Sequence, residues 1–391
     1  MTRPGTSPSR RSALVLGGLV SVTAAAVLGG DVGPTSGRSL RFPSGRVGVA
    51  GPYSEPQLEV MHRRGVRRLL LEASWSSAQP AAGVWDEAYL ERLATTATAW
   101  RTAGFSVALN TGTMDGPDWV LDLPGSRWVD QAGILYDDHP VPNAVFGSRV
   151  RELCEEYLSG LFRRLGDDFD LVRAGGSVWG EIAYPGQRTA SGRWRNAYWC
   201  FDPEARRRCP VPDFTPGAPD AAARTEDAAE FLDWYLDELV GFQTWQLTAL
   251  RRAGVRGRIA MLYPSFGMRP GDAGAAAATG LAGTTSPEVN GEVQRGLDFA
   301  RLVGGLSDAD TVVYGTWGEN VPVLEHLSDL ARRSRRGVMA ENAGGASERE
   351  VRAALSAAGR LGLEAFYLVR AADLFERGNG RWPGVLDVLA R

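Results

Sequence analysis

Histidine is scarce in this chain. Three occur in 391 residues, His62, His139 and His326, and they show no spacing that would bring ligands together around a metal. Cysteine is as rare, and Cys154, Cys200 and Cys209 are too few for a disulfide framework. Cys200 and Cys209 could close a small surface loop, whereas Cys154 lies on a helical pattern and is expected to be buried. No glycine-rich phosphate loop follows a strand-like run, and no cofactor is expected. A surplus of one charge is missing too. With 43 basic against 46 acidic residues and a net charge of −3, the chain has no electrostatic footprint for nucleic acid. What it has in quantity is apolar: 44 % hydrophobic residues suffice for a sizeable core, in one large domain or two ordinary ones. Twelve tryptophans are many. A flat indole face matches the C–H face of a pyranose, so surplus indoles often line sugar sites, although any single Trp is more often core or rim.

The first 30 residues read as an export segment. Ser9-Arg10-Arg11-Ser12-Ala13-Leu14 is a twin-arginine pattern, and an apolar stretch runs on from Ala13 to Leu28. Export to the cell envelope or the extracellular space is expected, with the stretch either cleaved or kept as an N-terminal anchor. No other membrane partner is expected. A Gly/Pro/Ser-rich linker occupies 31–45, and the catalytic domain is expected over 46–391.

In that domain, strand-like and helix-like runs alternate. Strands are expected at 46–51, 66–71, 105–110, 171–174, 258–263, 311–314, 337–340 and 365–369. Helices are expected at 55–64, 87–101, 143–165, 228–252, 289–303, 321–333, 348–361 and 385–389. Eight such units predict an α/β fold, a single (β/α)8 barrel, whose site lies at the C-terminal ends of the strands. Those ends carry Glu72 and Trp75, Asn110 and Asp115, Glu181, Tyr263, Trp317 and Glu319, Glu341 and Asn342, and Arg370. Glu181 stands between Trp179 and Tyr184, rings that would strip water from its charged form and raise its pKa toward that of a general acid. A lone Glu after a strand is more often a helix cap or an arginine partner. Here, however, a second carboxylate follows strand seven, which faces strand four across a barrel. Two carboxylates flanking one bond are what glycoside hydrolysis needs.

The motifs resemble a family. Gly180-Glu-Ile-Ala-Tyr-Pro185 is similar to the Gly-Glu-Leu-Arg-Tyr-Pro motif of the beta-amylases, glycoside hydrolase family fourteen, and Ala340-Glu-Asn-Ala343 to their Gly-Glu-Asn-Ala. The resemblance implies Glu181 as general acid and Glu341 as general base. It also implies Glu72 as a sugar-binding acid, Arg258 in place of a substrate-binding Lys, and Arg370 near a strand-eight arginine. Gly116-Pro-Asp-Trp119-Val-Leu, Phe231-Leu-Asp-Trp-Tyr235 and Phe366-Tyr-Leu-Val-Arg-Ala-Ala-Asp373-Leu extend the match over residues 60–375. Two departures stand out. The long closing loop after strand three is replaced by Asn110 to Gly116, and Arg370 lies one place late. A second resemblance, to the family forty-two beta-galactosidases, is carried by Trp75-Ser-Ser-Ala-Gln-Pro80, Gly83-Val-Trp-Asp86, Pro117-Asp-Trp119 and Val129-Asp-Gln-Ala-Gly133. In those retaining enzymes an Asn precedes the acid/base Glu, where this chain has Gly180.

Three readings follow: an inverting hydrolase with Glu181 as acid and Glu341 as base, a retaining one with Glu341 as nucleophile, or a barrel that binds sugar without cleaving it. Glu319 is a rival for the second carboxylate, with helix capping as its other use. Asp115 is a candidate for the missing loop acid. Trp75, Trp119, Trp179, Tyr184 and Trp317 are expected as sugar platforms on a carbohydrate substrate.

Overall fold

The computed structural model describes residues 42–51, 53–176, 178–190, 192–375, 382 and 384–386. The twin-arginine segment, most of the linker and the end of the last expected helix lie outside the described residues. Eight strands form: β1 (Val47–Ala50), β2 (Arg68–Glu72), β3 (Ser106–Asn110), β4 (Leu171–Ala174), β5 (Arg258–Tyr263), β6 (Thr311–Gly315), β7 (Val338–Glu341) and β8 (Ala365–Val369). They are parallel and closed in sequence order, with β1 pairing to both β2 and β8. The expected (β/α)8 barrel is therefore the fold.

The strands are apolar nearly throughout because each is covered twice, by the barrel interior on one face and by helices on the other. Successive side chains alternate between those faces. Ala50, Leu70, Ala108, Leu171, Ala260, Leu262, Val312, Met339 and Ala365 fill the interior, with Tyr314 and Tyr367. Val49, Leu69, Val107, Val172, Ile259 and Val313 face the helices. Gly48 completes the inner layer, and a methyl group there would sit 2.4 Å from the Tyr367 ring.

The helical ring includes Glu55–Arg63, Glu87–Thr102, Ser148–Leu165, Thr225–Arg252, Val321–Arg333 and Glu348–Leu361. Several begin on side-chain caps: Asp86 accepts from the Tyr89 N–H, and Ser347 and Glu350 form a capping box. The helix expected at 289–303 is broken into Pro287–Gln294 and Phe299–Gly304. Gly296 stands in the break at φ 71°, with Leu239 and Tyr184 so close that a Cβ would lie 2.9 Å from each. This break positions Arg295, whose carbonyl accepts from the Tyr184 N–H.

Candidate active site

Continuing each interior row by two residues reaches the C-terminal mouth of the barrel. Leu70 leads to Glu72, Ala108 to Asn110, Leu171 to Arg173, Tyr314 to Thr316 and Met339 to Glu341. Register makes Glu72, Asn110 and Arg173 lateral neighbours. The apolar filling thus gives way to a polar layer at this mouth.

Glu341 is buried in that layer. Its Oε1 accepts from Arg173 Nη2 at 2.8 Å and its Oε2 from the Tyr314 hydroxyl at 2.9 Å. The guanidinium also lies over the Tyr314 ring, 5.1 Å from its centroid. Burial raises the Glu341 carboxyl's pKa, and the Arg173 charge and the Tyr314 hydrogen bond oppose the rise. Burial alone would lower Arg173, but Glu341, Tyr314 and Glu72 hold it above the ordinary arginine range. With side chains only 7 % and 9 % exposed, this pair is one whose single-sided removal strands a buried charge.

Glu181 arrives by a different route. The chain leaves β4 through Gly175 at φ 145°, where a Cβ would lie 2.0 Å from the Gly180 carbonyl oxygen. Trp179 and Gly180 follow at φ 65° and 75°. Ile182 then donates its N–H to the Leu262 carbonyl at 2.8 Å, pinning the loop to β5. Glu181 Oε1 accepts from the Thr316 hydroxyl at 2.7 Å, and Oε2 faces Arg295 Nη2 at 3.4 Å. Burial raises its pKa, Arg295 and Thr316 oppose that, and Glu341 adds to it. The charge of Glu341 therefore reaches Glu181. β6 and the residue that follows it serve both: Tyr314 reaches Glu341 and Thr316 reaches Glu181.

Glu319 sits beside them. It does not cap the next helix, a role taken by Asn320, whose side chain accepts from the Val323 N–H. Instead it accepts from the Ala343 N–H at 2.9 Å and so ties the loop after β6 to the loop after β7. Burial pushes it up to about 7.

Other expected site residues are placed elsewhere. Arg258 is the first residue of β5, so it stands at the opposite end of the barrel, paired with Glu364. Asp115 accepts from the Ser74 and Ser76 hydroxyls and braces the loops after β2 and β3. Asn342 follows Glu341 on the other face of the strand. Its amide bonds the β8 backbone, accepting from the Val369 N–H at 3.0 Å, and makes no bond to the Glu341 carboxylate. Trp75 is fully buried, stacked on Tyr157 at 5.1 Å. Trp119 meets Trp75 edge-on and donates its Nε1 hydrogen to the Gln79 carbonyl. Tyr184 is stacked on Tyr235 at 3.8 Å, and Tyr263 bonds Gln243 behind β5. Trp75, Tyr184 and Tyr263 are packing because they are buried among the helices, whereas Trp119 is half-buried. Two aromatics remain open at the rim: Trp179, 55 % exposed and edge-on to His139 at 4.9 Å, and Trp317, half-buried against Phe266 at 4.6 Å. Arg370 is also at the rim, at φ 86°, with its Nε 3.9 Å from an Asp373 oxygen.

Arg173, Tyr314, Thr316 and Arg295 were not expected. A charge inside the apolar run Leu171–Ala174 was a signal for Arg173. Nothing local marks Arg295, which arrives through the helix break at Gly296. Among the described residues no cluster of His, Cys, Asp and Glu is arranged to hold a metal. Cys200 and Cys209 are unpaired, as is Cys154.

No protein-family model and no curated protein matches the chain. Solved structures match its fold. The catalytic domain of a beta-amylase from Paenibacillus polymyxa aligns with a TM-score of 0.66 at 16% identity, covering 88% of this chain and 96% of that one. A beta-galactosidase from the psychrophilic Marinomonas ef1 aligns with a TM-score of 0.59 at 14% identity, covering 86% of this chain and 56% of that one. One from the haloarchaeon Halorubrum lacusprofundi gives 0.55 at 13% identity, covering 86% and 54%. The chain spans just over half the length of these two beta-galactosidases. At such identities the likeness establishes the barrel, and both resemblances expected from the motifs are met at the level of fold.

Proposed function

We propose that the protein is a glycoside hydrolase that cleaves O-glycosidic bonds of an oligo- or polysaccharide, with Glu181 as general acid and Glu341 as base to the attacking water, inverting the anomeric centre. From the Ser9–Leu14 pattern we infer that it works outside the cytoplasmic membrane. The observation that carries the first reading is the pair of buried carboxylates after β4 and β7, each with its own arginine and its own hydroxyl. Their surroundings differ. Glu341 has a guanidinium at 2.8 Å and a phenol at 2.9 Å, both donating, which favours its ionised form. Glu181 has its guanidinium further off, at 3.4 Å. The Thr316 hydroxyl beside it can donate to a carboxylate or accept from a carboxylic acid. Glu181 can therefore hold a proton and survive its loss, as a general acid must. Trp179 and Trp317 offer ring faces for stacking on sugar.

A second reading has one observation in its favour. Donors on both oxygens of Glu341 weaken it as a base and stabilise it as a leaving carboxylate, which suits a nucleophile in a retaining reaction. Proton NMR of the first-formed anomer on a glycan panel separates the two. Glu181→Gln and Glu341→Gln should each lower kcat by about 10²-fold to 10⁴-fold while sugar binding persists. An active Glu341→Gln enzyme would overturn the assignment of Glu341, and a wild type that binds glycans but cleaves none would favour a binding barrel.

A further inference from the structure

Arg295 belongs to none of the motifs, yet it is the cation nearest Glu181. It caps the C-terminal end of Pro287–Gln294, its Nη2 lies 3.4 Å from Glu181 on the loop after β4, and its charge also acts on the buried Glu292 one turn back on its own helix. Glu292 is anchored independently: it accepts from the Ser265 hydroxyl and, at 2.6 Å, from the Gly267 N–H. We propose that Arg295 is a positioning residue that sets the proton affinity of Glu181, and that Glu292 divides the charge of Arg295 between the two acids. The proposal rests on the reading of Glu181 as the general acid.

A buried acid without a cation holds its proton too tightly to give it to a glycosidic oxygen. A guanidinium at 3.4 Å stabilises the carboxylate that remains once the proton has moved. The other groups acting on Glu181 are Thr316, Glu341 and Arg173. Arg188 on the neighbouring hairpin feels the charge of Arg295, as does Tyr136, on which Asp137 and Asp138 also act, and the Trp194 ring lies 5.9 Å from the Arg295 guanidinium. The Glu292 oxygens accept from Ser265 and Gly267 and make no bond to Glu181, so its effect is expected to pass through Arg295.

The signs can be separated. Arg295→Met removes the cation, and Glu181 should ionise about one pH unit or more higher. Arg295→Lys keeps the charge and should restore most of the wild-type titration. Glu292→Gln can still accept from the Gly267 N–H and donate to the Ser265 oxygen, but it removes the charge acting on Arg295, so Glu181 should ionise at lower pH. The double variant Arg295→Met/Glu292→Gln should titrate as Arg295→Met alone, because Glu292 acts only through the arginine. The readout is the ¹³C carboxyl titration of Glu181, assigned by its loss in Glu181→Gln, with the alkaline limb of kcat/KM moving in parallel. An unmoved titration in Arg295→Met, an upward shift in Glu292→Gln, or an additive double variant would each overturn the proposal. A titration that moves as expected in a protein that cleaves no glycan would keep the charge arrangement and overturn the general-acid reading instead.

Discussion

Glu319 shows what one buried acid does to the pH dependence of the molecule. Its pKa rises from the ordinary 4.5 to about 7 because burial penalises its charged form more than the Ala343 N–H offsets. A carboxyl with a raised folded-state pKa contributes stability that is complete below 4.5 and is lost as pH rises through about 7. The loss amounts to about 3 kcal/mol at most. The melting temperature should therefore fall between pH 5 and pH 8, and Glu319→Gln, whose Oε1 can still accept from Ala343, should flatten that fall. A variant with the wild-type slope would show that the loop tie does not titrate as described. At this scale much of the site was legible. Glu181 and Glu341 stand out because their flanking residues form motifs, and the charge of Glu341 does reach Glu181. Asn342 was misjudged because adjacent strand residues face opposite ways, and the neighbour of an inward carboxylate must turn outward.

At the scale of elements, the loop from β4 to Glu181 depends on a glycine where no side chain fits. Gly175→Ala adds a methyl group 2.0 Å from the Gly180 carbonyl oxygen at φ 145°. The turn must open to admit it, which should cost about 2 kcal/mol and swing Glu181 away from Thr316. Reduced melting temperature together with lost hydrolysis is the expected result. Full activity would mean that the loop has another way to deliver the carboxylate. The eight strands were readable because short apolar runs alternate with helical periods. Which side chains face the axis was not, because strands buried on both faces carry no polar alternation. Tyr314 and Arg173 therefore carry no mark of their inward direction, and Trp75, Tyr184 and Tyr263, near strand ends but turned outward, cannot be told from sugar platforms by position alone. Arg258 was misplaced for a related reason: a matching residue type says nothing about which end of a strand it occupies. The break at Gly296 was hidden because the apolar spacing runs straight through it, and with it went Arg295.

The whole molecule bears on where it works. Twin-arginine export moves folded proteins, and this barrel can finish folding in a reducing compartment because its three cysteines are free thiols. Under the proposed twin-arginine export, replacing Arg10 and Arg11 by Lys should leave the protein folded in the cytoplasm with an unchanged melting temperature, as read by cell fractionation and calorimetry. Secretion of that variant at wild-type levels would rule out the route. The shape of the barrel also limits how its chemistry can change. Because β6 and the residue after it touch both carboxylates, through Tyr314 and Thr316, this stretch works as a gauge block set between two jaws. Inserting or deleting one residue between those contacts would turn one of them to the outer face, so the strand cannot lengthen the gap gradually. Only the jaw built on Gly175 to Glu181 is adjustable. A descendant of this protein that exchanged inversion for retention, or the reverse, would carry its changes in that loop, with β6 left as it stands.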